Sequence, residues 1–184
     1  MLNLFLELIS TFFVFSAIIL FPLTKENITL FNKTFHKLFL SNIFFIFANF
    51  FTTLYALING YIPLLIQMII FSIFSLIGIK NYANKEINIK LPLIIYILLI
   101  FTSFIFVDGI HIKITFIEII AAIFAVIGTF YMNIFKNMKI ALILFLVADM
   151  LYVLFFISEH VWIYVFQYMI FIIVNGIALK RNYL

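Results

Sequence analysis

The chain has 184 residues, of which 67% are hydrophobic and 10% are charged, and its net charge is +4. A soluble domain has about 25% charged residues, so this composition argues against a soluble protein. The absence of cysteine excludes disulfides, thiolate nucleophiles and cysteine metal sites. No basic-aromatic motif of the RNA-binding kind occurs, so the positive charge does not indicate a nucleic-acid partner.

Apolar segments separated by short polar stretches fill almost the whole chain. A membrane-spanning helix needs about 20 mostly apolar residues. The pattern predicts seven such spans, at residues 2–22, 38–58, 61–79, 91–107, 114–132, 140–158 and 161–179. Residues 1–184 are therefore expected to form a single all-α polytopic membrane domain whose main partner is the lipid bilayer. The first span is read as a retained helix because it lacks a basic n-region and contains Glu7.

The basic residues are distributed unequally between the two faces of this topology. Ten of the eleven Lys and Arg residues fall in loops on one face, and only Lys113 falls on the other. Cytoplasmic loops are enriched in Lys and Arg, so the N-terminus is predicted outside and the C-terminus inside the cell. The abundance of Phe, Ile, Asn and Lys indicates an AT-rich bacterial genome, and hence the bacterial inner membrane.

The second and third spans resemble the sixth and seventh. Residues 38–81 align without gaps on 138–181, and the first span matches the fifth at a different offset. Rare polar residues coincide in these alignments: Asn49 with Asp149, Gln67 with Gln167, Ser75 with Asn175, Lys80 with Lys180, and Glu7 with Glu118.

The repeat predicts a 3+1+3 arrangement of helices. Repeat A covers about 1–81, a linker helix about 91–107, and repeat B about 113–182. A single extra span between two three-helix units makes the repeats parallel. Parallel repeats related by an axis along the membrane normal are a known transporter architecture, with the substrate path between the halves.

Three ionisable residues lie inside predicted spans, where such groups are costly and are candidates for function. Glu7 and Glu118 are expected in an outer layer together with Gln67 and Gln167. For this layer both helix-to-helix hydrogen bonding and lining of a pathway stay open.

Asp149 differs because it lies halfway along span six, where desolvation is greatest. Its repeat mate Asn49 lies halfway along span two, so the two are predicted to form a polar centre across a pseudo-twofold axis. Either Asp149 belongs to a substrate site, or it is a permanently protonated structural residue that hydrogen-bonds neighbouring helices.

Enzyme chemistry finds no support in the chain. His36, His111 and His160 fall in loops or at span ends without metal-ligand spacing. No nucleophile elbow or glycine-rich phosphate loop occurs. The sequence therefore predicts no catalytic residue, no metal site and no cofactor.

The C-terminal run from Phe171 to Arg181, FIIVNGIALKR, resembles the ending of the YgjV family of small bacterial inner-membrane proteins. The segment Val126–Thr129 and the layout of 35–80 resemble that family as well. Its layout is similar to that of PnuC-type vitamin-precursor transporters, SWEETs and PQ-loop proteins. The resemblance to SWEETs implies that Asn175 contacts substrate, with Ser75 at the equivalent position of the other repeat. The chain departs from these groups because it has no Pro-Gln motif and no Trp-rich signature.

The leading hypothesis is a carrier of a polar, uncharged metabolite that works by alternating access. The predicted central site comprises Asn49, Asp149, Ser75 and Asn175, with Gln67 and Gln167 on the outer approach. The alternative is a non-transporting accessory or structural membrane protein, and homo-oligomerisation is left open.

The charge distribution gives a direct test of orientation. Reporters fused after Asn59 and Val161 are expected to be active on the external side, and a reporter after Leu184 in the cytoplasm, because basic loops stay cytoplasmic. Activity of a matched pair of cytoplasmic and external reporters at each site measures this. An external readout at Leu184 would overturn the assignment.

Overall fold

The computed structural model describes residues 2–23, 27–30, 33–82, 94, 98 and 115–183. Within these ranges it contains six helices: α1 (Leu2–Leu23), α2 (Lys37–Asn59), α3 (Ile62–Tyr82), α4 (Phe116–Asn133), α5 (Met138–Ser158) and α6 (Trp162–Tyr183). They correspond to six of the seven predicted spans. The remaining span, 91–107, lies outside the described residues apart from Ile94 and Leu98, which are helical and exposed.

The helices have the length and polarity that a bilayer requires. Five of them, α2 to α6, are long and apolar enough to cross a membrane, and the described apolar stretch of α1 is shorter, Leu2–Ile18. Large apolar side chains such as Phe12, Phe116 and Phe166 are exposed on the outside of the bundle. The prediction of a multi-pass membrane protein agrees with this arrangement.

A short β-hairpin connects α1 to α2, where the sequence analysis predicted only a loop. Strand β1 (Asn27–Leu30) pairs antiparallel with β2 (Lys33–His36), and Asn27 lies opposite His36. β-Branched and aromatic residues in both strands favour this conformation. His36 then caps α2, because its Nδ1 accepts a hydrogen bond of 3.2 Å from the backbone N–H of Leu38.

The six helices form a ring in chain order. Each helix packs against the next, and α6 packs back against α1. Helices α3 and α4 run parallel, because Glu118 near the start of α4 contacts Leu64 near the start of α3, and Asn81 contacts Asn133 at their ends.

The helix directions place the basic residues at one end of the ring, which we call the lysine end. Six described side chains mark it: Lys37, Lys80, Lys136, Lys139, Lys180 and Arg181. The opposite end carries the start of α1 and the turns between α2 and α3 and between α5 and α6.

The two turns at the opposite end have the same backbone geometry. Gly60 and His160 both have positive φ, at 76° and 57°. In both turns this residue donates its N–H to the carbonyl three residues back, and the next residue, Tyr61 or Val161, donates to the carbonyl five residues back. Glycine adopts this left-handed conformation at little cost, whereas His160 adopts it against the usual preference of a side-chain-bearing residue.

Glycine also permits a close approach between α2 and α3. A Cβ added at Gly78 would lie 2.5 Å from Nδ2 of Asn42, a buried side chain already held by a 2.6 Å hydrogen bond to the carbonyl of Leu38. A Cβ at Gly176 in α6, by contrast, would meet nothing within 4 Å.

This contrast predicts opposite effects of the same substitution. Gly78→Ala is expected to destabilise the protein by about 1–3 kcal/mol, because Asn42 must leave its hydrogen bond or the helices must separate. Gly176→Ala is expected to be neutral or slightly stabilising, since alanine favours a helix over glycine by about 1 kcal/mol. Thermal unfolding in detergent compares the two variants. Equal midpoints would contradict the close packing of α2 on α3.

Candidate substrate cavity

The centre of the ring contains a cavity of about 110 Å³. All six helices contribute to its wall. The lining residues are Val14, Ile18, Phe45, Asn49, Thr52, Gln67, Met68, Phe71, Ser75, Ala125, Thr129, Met132, Phe145, Asp149, Tyr152, Gln167, Tyr168, Phe171 and Asn175.

All six residues that the sequence analysis assigned to a substrate site line this one cavity. Helices α2 and α5, on opposite sides of the ring, supply Asn49 and Asp149. Helix α3 supplies Gln67 and Ser75, and the equivalent positions of α6 supply Gln167 and Asn175. The structure thus brings all six candidate residues together.

The lining residues fall into pairs with constant spacing. Each lining residue on α2 or α3 is paired with a lining residue 100 positions later on α5 or α6. Phe45 is paired with Phe145 in this way, and Thr52 with Tyr152. On α1 and α4 the spacing is 111, as between Val14 and Ala125. Met132 alone has no partner in the wall, and the side chain at its equivalent position lies outside the described ones.

The polar groups at the cavity are only partly satisfied. Asn175 donates a hydrogen bond of 2.9 Å from Nδ2 to Oδ2 of Asp149. The Asn49 side chain is only 4% exposed, and its Nδ2 atom has no hydrogen-bond partner among the residues that the structure describes. Asn49 and Asp149 thus both line the cavity, and Asp149 bonds Asn175 rather than its repeat mate. An unpaired buried donor costs about 1–3 kcal/mol, so a cavity occupant that accepts from it would be stabilised.

The two glutamines line the same cavity as the four residues of the predicted central site. Gln167 accepts a hydrogen bond of 2.6 Å at Oε1 from Thr11 of α1, and Gln67 accepts one from the hydroxyl of Tyr152 of α5. Each glutamine therefore also ties its helix to a neighbour in the ring.

The four polar residues of the predicted outer layer face different surroundings. Glu118 is fully buried and does not line the cavity. Its Oε1 accepts a hydrogen bond of 3.0 Å from the backbone N–H of Leu64, which lies in the first turn of α3, and Oε2 has no partner. Glu118 thus caps α3 from a neighbouring helix. Glu7 instead lines an open cleft, together with Trp162 at the start of α6.

The cleft lies at the end opposite the lysines and is separated from the cavity by aromatic side chains. Tyr55 and Tyr61 line the cleft, where the Tyr61 hydroxyl donates a hydrogen bond of 2.8 Å to Glu159. Below them, the ring of Tyr164 packs edge-on against Tyr55 at 4.9 Å and lies 5.0 Å from the ring of Phe156. Tyr55, Phe156 and Tyr164 are buried, so they form a barrier that we call the aromatic layer.

An apolar cluster lies on the other side of the cavity, towards the lysine end. It consists of Leu38, Met132, Ala141, Leu142 and Ala178. Met132 belongs both to this cluster and to the cavity wall. The cluster joins residues of α2, α4, α5 and α6, so both halves of the ring meet there.

Four polar residues of the wall were not among the six that the sequence analysis assigned to the site: Thr52, Thr129, Tyr152 and Tyr168. Thr52 lines the cavity, whereas its neighbour Thr53 donates to the carbonyl of Asn49 in its own helix. The alignment of 38–81 on 138–181 pairs Thr52 with Tyr152, three residues after Asn49 and Asp149, and residues three apart share a helix face.

The charge of the wall is simple. Among the described residues that line it, Asp149 is the only acid, and none is Lys, Arg or His. The described part of the chain also holds no group of three His, Cys, Asp or Glu side chains that could bind a metal ion. The wall can therefore offer hydrogen bonds, aromatic faces and one carboxyl group to a small molecule.

Comparison of the chain with protein-family models, with curated proteins and with solved structures finds no match. The functional interpretation therefore depends on the cavity itself.

Proposed function

We propose that this protein is a membrane carrier that moves a small polar metabolite through the centre of the helix ring. The observation that carries this proposal is the cavity between α2 and α5, with the unpaired amide N–H of Asn49 and the carboxyl group of Asp149 in its wall. Binding sites for small molecules combine apolar and aromatic walls with a few polar groups that fix orientation. Polar residues inside a membrane protein that face a cavity typically mark a substrate path.

The carrier is built from two parallel repeats of three helices, joined by a linker span at 91–107. Three features support the repeats: the paired cavity residues, the matching turns at Gly60 and His160, and the ring order, which is unchanged when α1–α3 are exchanged for α4–α6. A linker span is supported by the parallel directions of α3 and α4, which the chain between them must accommodate.

The proposed setting is the bacterial inner membrane, with the lysine end in the cytoplasm and the N-terminus outside. The support is the grouping of the described basic side chains at one end of the ring. The aromatic layer then closes the external side of the cavity, and alternating access requires the two repeats to move so that this layer and the apolar cluster open in turn.

Membership of a YgjV-like family is proposed as well, on the resemblance of the Phe171–Arg181 run and the Val126–Thr129 segment to that family. The rival interpretation, an accessory protein, is favoured by the two glutamines, because their hydrogen bonds to Thr11 and Tyr152 hold helices together. The unpaired donor of Asn49 does not perform such a role, and this favours the carrier.

Filling the cavity is expected to stop transport without removing the protein from the membrane. Ala125→Phe places a ring in the wall of the cavity, whereas Ile123→Phe places one on the exposed surface of the same helix. Proteoliposomes are tested with a panel of labelled small amides, polyols, amines and amino acids. We expect saturable uptake of at least one compound by the wild type and Ile123→Phe, and none by Ala125→Phe. Because overpacking costs about 1–3 kcal/mol, thermal unfolding verifies that both variants are folded.

Ser75→Ala serves as a milder cavity variant, since it removes a hydroxyl without adding volume. It is expected to change the half-saturating concentration of the transported compound. If folded wild-type protein moves none of the panel faster than protein-free liposomes do, the carrier is rejected in favour of the accessory protein.

A further inference from the structure

The cavity is symmetric in position but not in chemistry. Asn49 and Asp149 occupy equivalent positions on opposite sides of the ring, yet one offers an N–H donor and the other a carboxyl group. Ser75 and Asn175 differ similarly, and Asn175 engages Asp149. A ligand that satisfies both sides must therefore have two different ends.

At the Asp149 end of the cavity, the complementary ligand group is a positively charged hydrogen-bond donor. The only hydrogen bond that Asp149 receives among the described residues comes from Asn175, and no basic side chain in the described wall balances the carboxyl group. Because the carboxylate form is costly in a buried site, an uncompensated carboxyl group is protonated there, and a bound cation would supply the compensation that makes the carboxylate favourable. An anion or a zwitterion with a free carboxylate would add a second negative charge beside Asp149.

The rest of the wall also suits a cation. In addition to Tyr152, five aromatic residues line the cavity: Phe45, Phe71, Phe145, Tyr168 and Phe171. Aromatic faces attract organic cations within about 6 Å of the ring centre, more strongly where water is excluded.

At the Asn49 end of the cavity, the complementary ligand group is a hydrogen-bond acceptor. Its Nδ2 atom is a donor without a partner among the described residues, and a donor repels a bare metal ion rather than ligating it.

The volume of the cavity limits the size of the ligand as well. At about 110 Å³ the cavity is smaller than the roughly 150 Å³ site that holds benzene in an engineered protein, so the ligand has fewer than about six non-hydrogen atoms.

We propose that the cavity binds a small organic ammonium ion carrying a hydroxyl or carbonyl oxygen, with the ammonium group at Asp149 and the oxygen at the amide of Asn49. The sequence alone favoured an uncharged metabolite, and the unbalanced acid in an aromatic wall changes that expectation. This inference rests on the proposed carrier function and specifies its substrate class.

Four probe molecules separate the contribution of the positive charge from that of the acceptor oxygen: ethanolammonium, ethylammonium, ethylene glycol and glycolate. They share a two-carbon frame and differ in charge and in the acceptor oxygen. Binding to the purified full chain is measured by calorimetry at neutral pH and constant ionic strength. We expect ethanolammonium to bind most tightly, and ethylammonium about 2- to 10-fold more weakly because one hydrogen bond is lost. Ethylene glycol and glycolate are expected to bind more weakly than either cation.

Substitutions at Asp149 and Asn49 test which residue binds which end of the ligand. Asp149→Asn keeps the size of the side chain and is expected to weaken both cations about 10- to 100-fold, the range of a charge-assisted hydrogen bond. Asn49→Ala is expected to abolish the difference between ethanolammonium and ethylammonium. Glu118→Gln is the matched control, because Glu118 is another buried acid but does not line the cavity. It is expected to leave all four affinities unchanged.

Equal binding of ethylene glycol and ethanolammonium, unaffected by Asp149→Asn, would overturn the cation assignment. The carrier would survive that result as a transporter of neutral solutes. Absence of binding by both cations would likewise overturn the inference, and the uptake panel would then decide the carrier function separately. Equal loss of both cations in Asn49→Ala would refute the contact between Asn49 and the ligand oxygen.

Discussion

The structure depends on one constraint, which is that a bilayer offers polar groups no hydrogen bonds. Backbone groups are satisfied within helices, and polar side chains must find partners inside the bundle. The described helices meet this condition by turning apolar side chains such as Phe12 and Phe166 outwards and Asn49, Gln67 and Asp149 inwards. Because six helices in a ring do not fill their own centre, the inward polar groups surround a cavity. The candidate site is thus a consequence of how the chain satisfies the membrane.

Hydrogen bonds between helices then divide the polar residues into two groups. Glu118 caps α3, and Thr11 bonds Gln167, so these contacts hold the ring together. Asn49 and Asp149 differ from Glu118 because they line the cavity, where Nδ2 of Asn49 has no hydrogen-bond partner among the described residues and Asp149 bonds Asn175. An unsatisfied group is costly in a low-dielectric interior, and at the cavity wall an occupant would satisfy it. The same two positions provide the chemical difference between the two halves of the cavity.

Much of this organisation follows from the sequence, because the bilayer makes apolar length and rare polar residues informative. Six helices agree with predicted spans, and the two alignments that define the repeat together pair nearly the whole cavity wall. Contacts that depend on side-chain direction could not be predicted. Periodicity does not show that Glu118 reaches the start of α3, nor that Thr52 rather than Thr53 faces inwards. The hairpin was missed because eight strand residues in a short loop give no clear pattern beside the long apolar spans.

The central claim is that the ring encloses a cavity that water-soluble molecules can enter, and accessibility of a single cysteine tests it most directly. The natural chain has no cysteine, so each variant carries only the introduced thiol. Ser75 lines the cavity, whereas Ser41 is buried between α1 and α2, where its hydroxyl donates to the carbonyl of Ala17 at 3.0 Å. The thiol reagent 2-bromoethylammonium is small enough for the cavity and alkylates a thiolate with loss of bromide, and it is expected to modify Ser75→Cys and to leave Ser41→Cys unmodified in folded, reconstituted protein. If Ser75→Cys is as inert as Ser41→Cys, the cavity is closed to solutes and the account is contradicted.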